Sequence, residues 1–426
     1  MKAQMKLKSQ ECETPEKIKA PDNFSPSPDQ AEAIRKFLTW IKGKSPKFFS
    51  LIGFAGTGKT MIAKYLAANV DGPVYFCAFT GKAALVMQQA GCVGASTIHS
   101  LIYVPQERSK VRLTELREKI QTFPEEGPPE ALEDLLDQLK IEEANAARPN
   151  FKLKSDSPLR YASLCVIDEC SMIDETMGKD LLSFNVPILA LGDPGQLPPV
   201  FGQGYFTKPK PSHLLTQIHR QSKDSPIIQL ATTVRTGGSL KVGKYGNCEV
   251  IKKSKTREAK QRVQELVMAA DQVIVGRNKT RQNINRRIRE VRGHPKGTPV
   301  AGDKLICLRN NHDLGILNGS LWEVESIDLF TIDQCNLTVK PFQAKGPSVT
   351  CISHMHHFQR RIKELDHWER RDAEEFDFGY AITCHKSQGS QWNNVLIIDE
   401  SDCFDYPEKH LYTAITRAVD TVTVLI

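Results

Sequence analysis

Short runs of contiguous apolar residues alternate along the first half of the chain with segments whose apolar positions recur every three or four residues. FFSLIGFAG (48–56), PVYFCAF (73–79), CVIDEC (165–170) and PILALGD (187–193) have the length of buried strands. After Pro26, Pro28, Asp29 and Gln30, the stretch AEAIRKFLTWI predicts a capped helix to about Lys42. TMIAKYLAANV predicts a second helix leaving a Gly-rich turn, and a third runs from Gly81 to about Ala90. Buried strands that alternate with helices predict a parallel sheet.

The rhythm breaks from about Tyr103 to Arg160, where an acidic helix (about Pro129 to Ala147) and a hairpin within FKLKSDSPLRY are expected. A second α/β unit starts near residue 245, with the strand QVIVGRN and the basic helix RQNINRRIREVR. KLICLRN, GSLWEVESID and CNLTVKP predict a small β subdomain, and FQRRIKELDHWERRDAEEF predicts a charged helix after it. GYAITCHKSQG, NVLIIDE and TVTVLI return to the α/β pattern. The expected division is a disordered tail at 1–20 and a first domain from 21–103 and 161–240, with 104–160 inserted. The second domain comprises 241–301 and 376–426, with 302–375 inserted as a β-barrel-like subdomain bearing the helical extension.

Composition narrows the class without naming a partner. Of 426 residues, 40% are hydrophobic and 25% charged, which excludes wholesale disorder, collagen and coiled coil. No apolar run approaches a membrane span, and the polar first 20 residues lack a secretory h-region, so a cytoplasmic protein is expected, in the host cytoplasm if viral. Eleven cysteines without a Cys-x-x-Cys pair suggest buried reduced thiols. His354, His356, His357 and His367 cluster without regularly spaced carboxylate or thiol ligands, so no metal is expected there. The net +7 hides a local +10 in residues 251–300 and a local −7 in 124–145. Such asymmetry fits a nucleic-acid track or simply solvated helix faces.

The sharper chemistry lies at strand ends. Gly53-Phe54-Ala55-Gly56-Thr57-Gly58-Lys59-Thr60 is a complete G-x-x-x-x-G-K-[ST] between a predicted strand and a predicted helix. Its backbone N–H groups suit phosphate oxygens, Lys59 the β/γ-phosphates, and the Thr60 hydroxyl Mg²⁺. The strand LCVI ends in Asp168, a second Mg²⁺ ligand, and Glu169, placed to orient or deprotonate an attacking water. Gln196, in GDPGQLPPV, is either a γ-phosphate sensor or part of a plain Pro/Gly turn.

Together these motifs resemble the superfamily 1 DNA helicases of the RecD/Dda-like (5′→3′) branch, from about Pro28 to Ile426. Gln30 in SPDQAEAI resembles the Q motif that reads adenine. AFTGKAA resembles motif Ia, STIHSL motif Ib, Asp168-Glu169 motif II, GDPGQLPPV motif III, and LTQIHRQ motif IV with an arginine finger at Arg220. AITCHKSQGSQW resembles motif V, and YTAITRA motif VI with a second finger at Arg417. Gln391 departs from the pattern, because relatives commonly have Glu there against the ribose.

The resemblance implies two RecA-like parallel-sheet motor domains, with ATP and Mg²⁺ in the cleft between them. Gln388, Gly389 and Gln391 would join the phosphate loop around the nucleotide. Single-stranded DNA would cross Thr80, Lys82, Thr97 and His99 of the first domain, and Thr383, His385 and Lys386 of the second. Phe79 is equally a base-stacking platform or a core residue. A duplex-splitting pin is expected near Phe151 to Arg160. The basic helix Arg277–Arg292 should pair mostly with carboxylates, with Arg277 the most functional of its arginines. The implied activity is ATP-driven 5′→3′ translocation and unwinding by a monomer acting on single-stranded DNA and ss/ds junctions, with a single-strand-binding or replication/recombination protein as partner. A partner-dependent remodeller and a non-catalytic clamp are the alternatives, and no nuclease centre is visible. Polarity rests on the resemblance alone.

Overall fold

The computed structural model describes residues 24–43, 45, 47–105, 111–124, 132, 134–139, 151–199, 203–217, 224–311, 314–329, 331, 333–342, 346–361, 365 and 373–426. The expected disordered tail, most of the acidic helix, Arg220, His367 and most of the charged stretch after Gln359 lie outside these residues.

The first sheet follows from the apolar runs. Strands β1 (Phe48–Gly53), β2 (Val74–Ala78) and β3 (Ser96–Thr97) come before a two-stranded ribbon of β4 (Tyr103–Pro105) and β5 (Phe151–Leu153). Strands β6 (Leu164–Asp168), β7 (Ile188–Gly192) and β8 (His213–Leu215) complete the sheet in the order β3-β2-β6-β7-β1-β8, parallel throughout. Both faces are covered, so its strands are continuously apolar rather than alternating. The helix Pro28–Gly43 buries Gln30, Ala33, Phe37 and Trp40 at helical spacing. Asp29 at its start accepts from the Thr216 and Gln217 amides and pairs with His213 at 2.9 Å, tying the helix to the edge strand.

The second sheet uses β9 (Gly243–Tyr245), β10 (Cys248–Ile251) and β11 (Gln272–Val275), then leaves for a barrel-like excursion. The excursion contains β12 (Lys304–Cys307), β13 (Leu321–Leu329), β14 (Gln334–Pro341), β15 (Val349–His354) and β16 (Phe376–Phe378), antiparallel in the order β15-β14-β13-β12-β16. A bridge between Ser353 and Glu374 draws its two edges together. The chain returns through β17 (Ala381–Thr383), β18 (Trp392–Ile398) and β19 (Ala418–Leu425), giving the order β17-β11-β18-β19-β10-β9. All pairs in this sheet are parallel except β9 with β10.

Several boundaries differ from the expectation. The helix Pro226–Arg235 buries Ile227, Leu230, Ala231 and Val234 against Val250, Ile274 and Ile415, so it belongs to the second domain rather than to a first domain ending at 240. Its apolar face had no sequence signal for which sheet it would meet. Phe376–Phe378 pairs with β12, so the β insertion runs past 375. A short helix, His356–Gln359, stops where Arg360 adopts a left-handed conformation (φ 62°), and most of FQRRIKELDHWERRDAEEF, over which a charged helix was expected, lies outside the described residues. Phe151–Leu153 pairs with Tyr103–Pro105 instead of folding back within 151–160, and Pro158–Tyr161 forms a 3₁₀ turn.

The basic helix Asn278–Val291 is spent largely on structure. Arg281 pairs with Asp377 at 2.7 Å, and the buried Arg289 with Asp303 at 3.0 Å. Arg277, at the end of β11, pairs with Glu400 at 2.6 Å, and the Gly276 and Arg277 amides donate to the same carboxylate. Glu400 thus holds both the Arg277 guanidinium and the amides at the start of the helix.

Candidate nucleotide site and nucleic-acid face

The phosphate loop sits where β1 ends and the helix Lys59–Ala68 begins. Gly56 (φ 79°) and Gly58 (φ 77°) take the left-handed backbone that curls the loop, a conformation costly to other residues. A Cβ on Gly53 would lie 2.7 Å from Thr57 Oγ1 and 2.8 Å from Leu215 Cβ. Lys59 Nζ donates to the Gly53 and Phe54 carbonyls at 2.6 and 3.1 Å, so it is folded over the loop it would share with phosphate. The buried Gln30 donates from Nε2 to the Thr57 carbonyl at 3.1 Å and accepts from the Ser27 amide at 3.0 Å. In this geometry Gln30 braces the phosphate loop. Ala55 and Thr60 lie half-buried in the same loop and at the helix start.

Asp168 closes β6 beside the loop, and its Oδ1 accepts the Glu169 amide at 2.8 Å. Glu169 itself is left-handed (φ 53°), a strain of order 1–3 kcal/mol for a residue with a side chain. Burial pushes both carboxyls up. The Lys59 charge opposes this at Asp168, and the Arg417 and Lys59 charges oppose it at Glu169.

The second domain supplies the rest. Arg417 is 4% exposed and donates to the Thr413 carbonyl, the Ser390 carbonyl and Thr416 Oγ1, which fixes its guanidinium. Its Nη1 lies 3.9 Å from Glu169 Oε1. With its amide turned to satisfy both ends, Gln196 donates to Glu169 Oε2 at 3.0 Å and accepts from Arg417 Nη2 at 3.2 Å. Gln196 thus occupies a polar bridge across the cleft. The buried Gln388 donates to the Leu197 carbonyl at 3.3 Å, and Thr413 Oγ1 accepts the Leu197 amide at 3.0 Å. Gly389 (φ 72°) packs so closely that a Cβ would lie 2.8 Å from that of Ala83. Gln391 is exposed.

On the face beyond the cleft, Thr80 and Thr97 cap short helices by accepting the Ala83 and Ser100 amides. Burial pushes Lys82, His99 and His385 down from their ordinary values. Thr383 is buried at the end of β17, and Lys386 donates to Asn318 Oδ1 at 3.0 Å. Leu317, one residue before Asn318, meets Gly81 so closely that a Cβ there would lie 2.6 Å away. A loop of the β insertion therefore bridges Gly81 and Lys386, a contact that no local motif announces. Phe79 is half-buried on the first core and meets His99 edge-on at 5.9 Å. His99 also meets Tyr103 (5.6 Å) and Phe151 (5.3 Å), and Phe151 is 40% exposed. The aromatic cluster assembles only when β5 pairs with β4 across a long insertion. Among the described residues, no group of three or more His, Cys, Asp or Glu could hold a metal ion, and no helix is long and apolar enough to cross a membrane.

Comparison with known proteins adds a family. The model of a family described as an AAA domain matches residues 25–256, and that of a UvrD-like helicase C-terminal domain matches 378–425. The chain is 26% identical over 397 residues to the ATP-dependent RecD2 DNA helicase of Deinococcus radiodurans, covering 87% of this chain and 46% of the relative. It is 33% identical over 183 residues to an uncharacterized protein of Acanthamoeba polyphaga mimivirus, covering 40% of this chain and 33% of that one. The chain thus spans less than half the length of either relative. Among solved structures, a Bacteroides Pif1 helicase in complex with ADP-AlF3 and ssDNA superposes with a TM-score of 0.53 at 18% identity, over 92% of this chain and 91% of that one. A Pif1 structure described for DNA unwinding at forked dsDNA gives 0.53 at 17% identity, over 94% and 92%. At such identity the likeness speaks for the fold, two RecA-like α/β domains.

Proposed function

The chain belongs to the AAA domain family, and on that premise we propose that it is an ATP-driven DNA translocase and helicase of the RecD/Pif1-like superfamily 1 type. The observation that carries this reading is the Gln196 bridge between Glu169 of the first domain and Arg417 of the second. A hydrolytic base linked through one amide to a buried guanidinium on the opposite domain makes hydrolysis depend on how the domains meet.

In this mechanism the phosphate-loop amides and Lys59 hold the nucleotide phosphates, Lys59 exchanging its carbonyl partners for phosphate. Thr60 and Asp168 provide hard oxygen ligands suited to Mg²⁺, which when bound would offset charge on the phosphates. Glu169 takes the proton of the attacking water, and Gln196 orients its carboxylate. Arg417 balances the charge that develops during transfer. Arg220, carried over from the family motif, would add a second guanidinium. Hydrolysis then changes the contact between the domains, and with it their hold on a DNA strand lying over Thr80, Lys82, Thr97, His99, Thr383, His385 and Lys386. Phe151 extends that track with a half-exposed ring. The 5′→3′ direction is carried over from the resemblance of the sequence motifs to the RecD/Dda-like branch.

The test is ATP turnover with and without single-stranded DNA, followed by unwinding of partial duplexes with a 5′ or a 3′ tail. Stimulated turnover and unwinding of the 5′-tailed duplex are expected, and Lys59→Ala should abolish both. Absence of stimulation, or unwinding by the Lys59 variant, refutes the proposal. Preference for the 3′ tail refutes only the direction.

A further inference from the structure

Besides the Gln196 bridge, a second polar connection crosses the cleft, and it ends on the phosphate loop itself. Tyr412 lies on the helix Pro407–Ile415 of the second domain and is 2% exposed. Its hydroxyl accepts the Ala55 amide at 3.0 Å and donates to Asp193 Oδ2 at 2.8 Å. Asp193 is itself buried, and its other oxygen accepts the Gly195 amide at 2.9 Å. The Tyr412 ring packs against Gly195, where an added Cβ would come within 2.8 Å of ring carbon Cε1. Burial and the Asp193 carboxylate push the phenol far above its ordinary value, so the hydroxyl keeps the proton it donates. Beside it, Arg235 of the second domain stacks on the phosphate-loop residue Phe54, with Cζ 3.7 Å from the ring centroid.

One hydroxyl therefore joins three parts: the phosphate loop, the 193–196 turn that carries Gln196, and the helix whose next turn carries Arg417. The loop amide and the buried carboxylate both lose a partner if the second domain moves away, and each such loss is costly. A phenylalanine would fill the same space and make neither bond. We propose that Tyr412 is a positioning residue that couples domain closure to hydrolysis, setting the 193–196 turn against the phosphate loop so that Gln196 meets Glu169 only when the second domain is docked. This inference rests on the ATP-driven reading above.

The experiment compares wild type, Tyr412→Phe, Asp193→Asn and the double variant in steady-state ATP turnover, with and without single-stranded DNA, beside thermal melts. For Tyr412→Phe, the DNA-stimulated kcat should fall roughly fivefold to a hundredfold and the stimulation ratio should fall with it, while KM for ATP stays within about twofold. The double variant should lose less than the product of the single losses, because the Tyr412–Asp193 bond is shared by both. Should Tyr412→Phe fail to fold, Asp193→Asn alone must show the same fall in kcat at near-constant KM. An unchanged stimulated kcat, an effect confined to KM, or fully multiplicative losses in the double variant overturns the inference. Wild type without any ATP turnover overturns the ATPase reading and this inference with it, whereas normal wild-type turnover with an unaltered variant overturns the inference alone.

Discussion

Gly389→Ala offers a test of how closely the two domains are joined. Two penalties combine at this position. The backbone is left-handed (φ 72°), which costs a side-chain-bearing residue about 1–2 kcal/mol. The new methyl would also lie 2.8 Å from Ala83 Cβ and 3.1 Å from Thr80 Oγ1, both on the opposite domain. Overlap of this kind in a packed interface costs about 1–3 kcal/mol, so the sum is about 2–5 kcal/mol. Gly237→Ala is the internal control, since φ is 80° there and nothing lies within 4 Å of the added carbon. The difference between the two variants isolates the overlap at about 1–3 kcal/mol. Chemical denaturation followed by circular dichroism gives the stabilities, and ATP turnover gives KM. Because opening the cleft relieves only the overlap, Gly389→Ala should also weaken ATP binding severalfold, and Gly237→Ala should not. Equal stability and equal KM for the two alanine variants would refute the close packing of the domains at Gly389.

Arg417→Lys keeps the charge but cannot reproduce the fork that holds Thr413, Ser390, Thr416 and Gln196. The kcat should fall roughly a hundredfold or more at similar KM, and a loss under about fivefold would count against the role of the guanidinium. Phe151→Ala should weaken single-stranded DNA binding by about 1 kcal/mol, roughly fivefold in a fluorescence titration, with little change in melting. Unaltered affinity would remove Phe151 from the track. Lys304 is buried and donates to the Asp271 carbonyl and Gln272 Oε1, and burial pushes its amine down to about 7 from an ordinary 10.5. The unfolded chain therefore takes up this proton below about 10.5 and the folded chain only below about 7. Stability should fall as pH drops through that window and then level off, by at most about 4–5 kcal/mol. Urea unfolding between pH 7 and 9 should show a shallower slope for Lys304→Met than for wild type, and identical slopes would refute the buried neutral amine.

The sequence by itself determined what depends on neighbours in the chain. Continuous apolar runs specify strands covered on both faces, and the glycines at 56 and 58 specify a loop that only their left-handed backbone can form. Lys59, Thr60, Asp168 and Glu169 were legible as candidates because the parallel strands β1 and β6 end at one edge of the sheet, which brings the residues that follow them together. Tertiary structure decided whatever depends on which surface an element meets. The helix Pro226–Arg235 shows an apolar stripe but no address, and packing assigned it to the second domain. The pairing of β5 with β4 set Phe151 against His99 across an insertion whose length no periodicity could close. Gln196, ambiguous within a Pro/Gly turn, gained a partner at each end only when Glu169 and Arg417 faced each other. Hydrophobic pattern is local and repeats with the backbone, so it can be read along the chain. A hydrogen bond between residues 55 and 412 depends on where two separate cores come to rest.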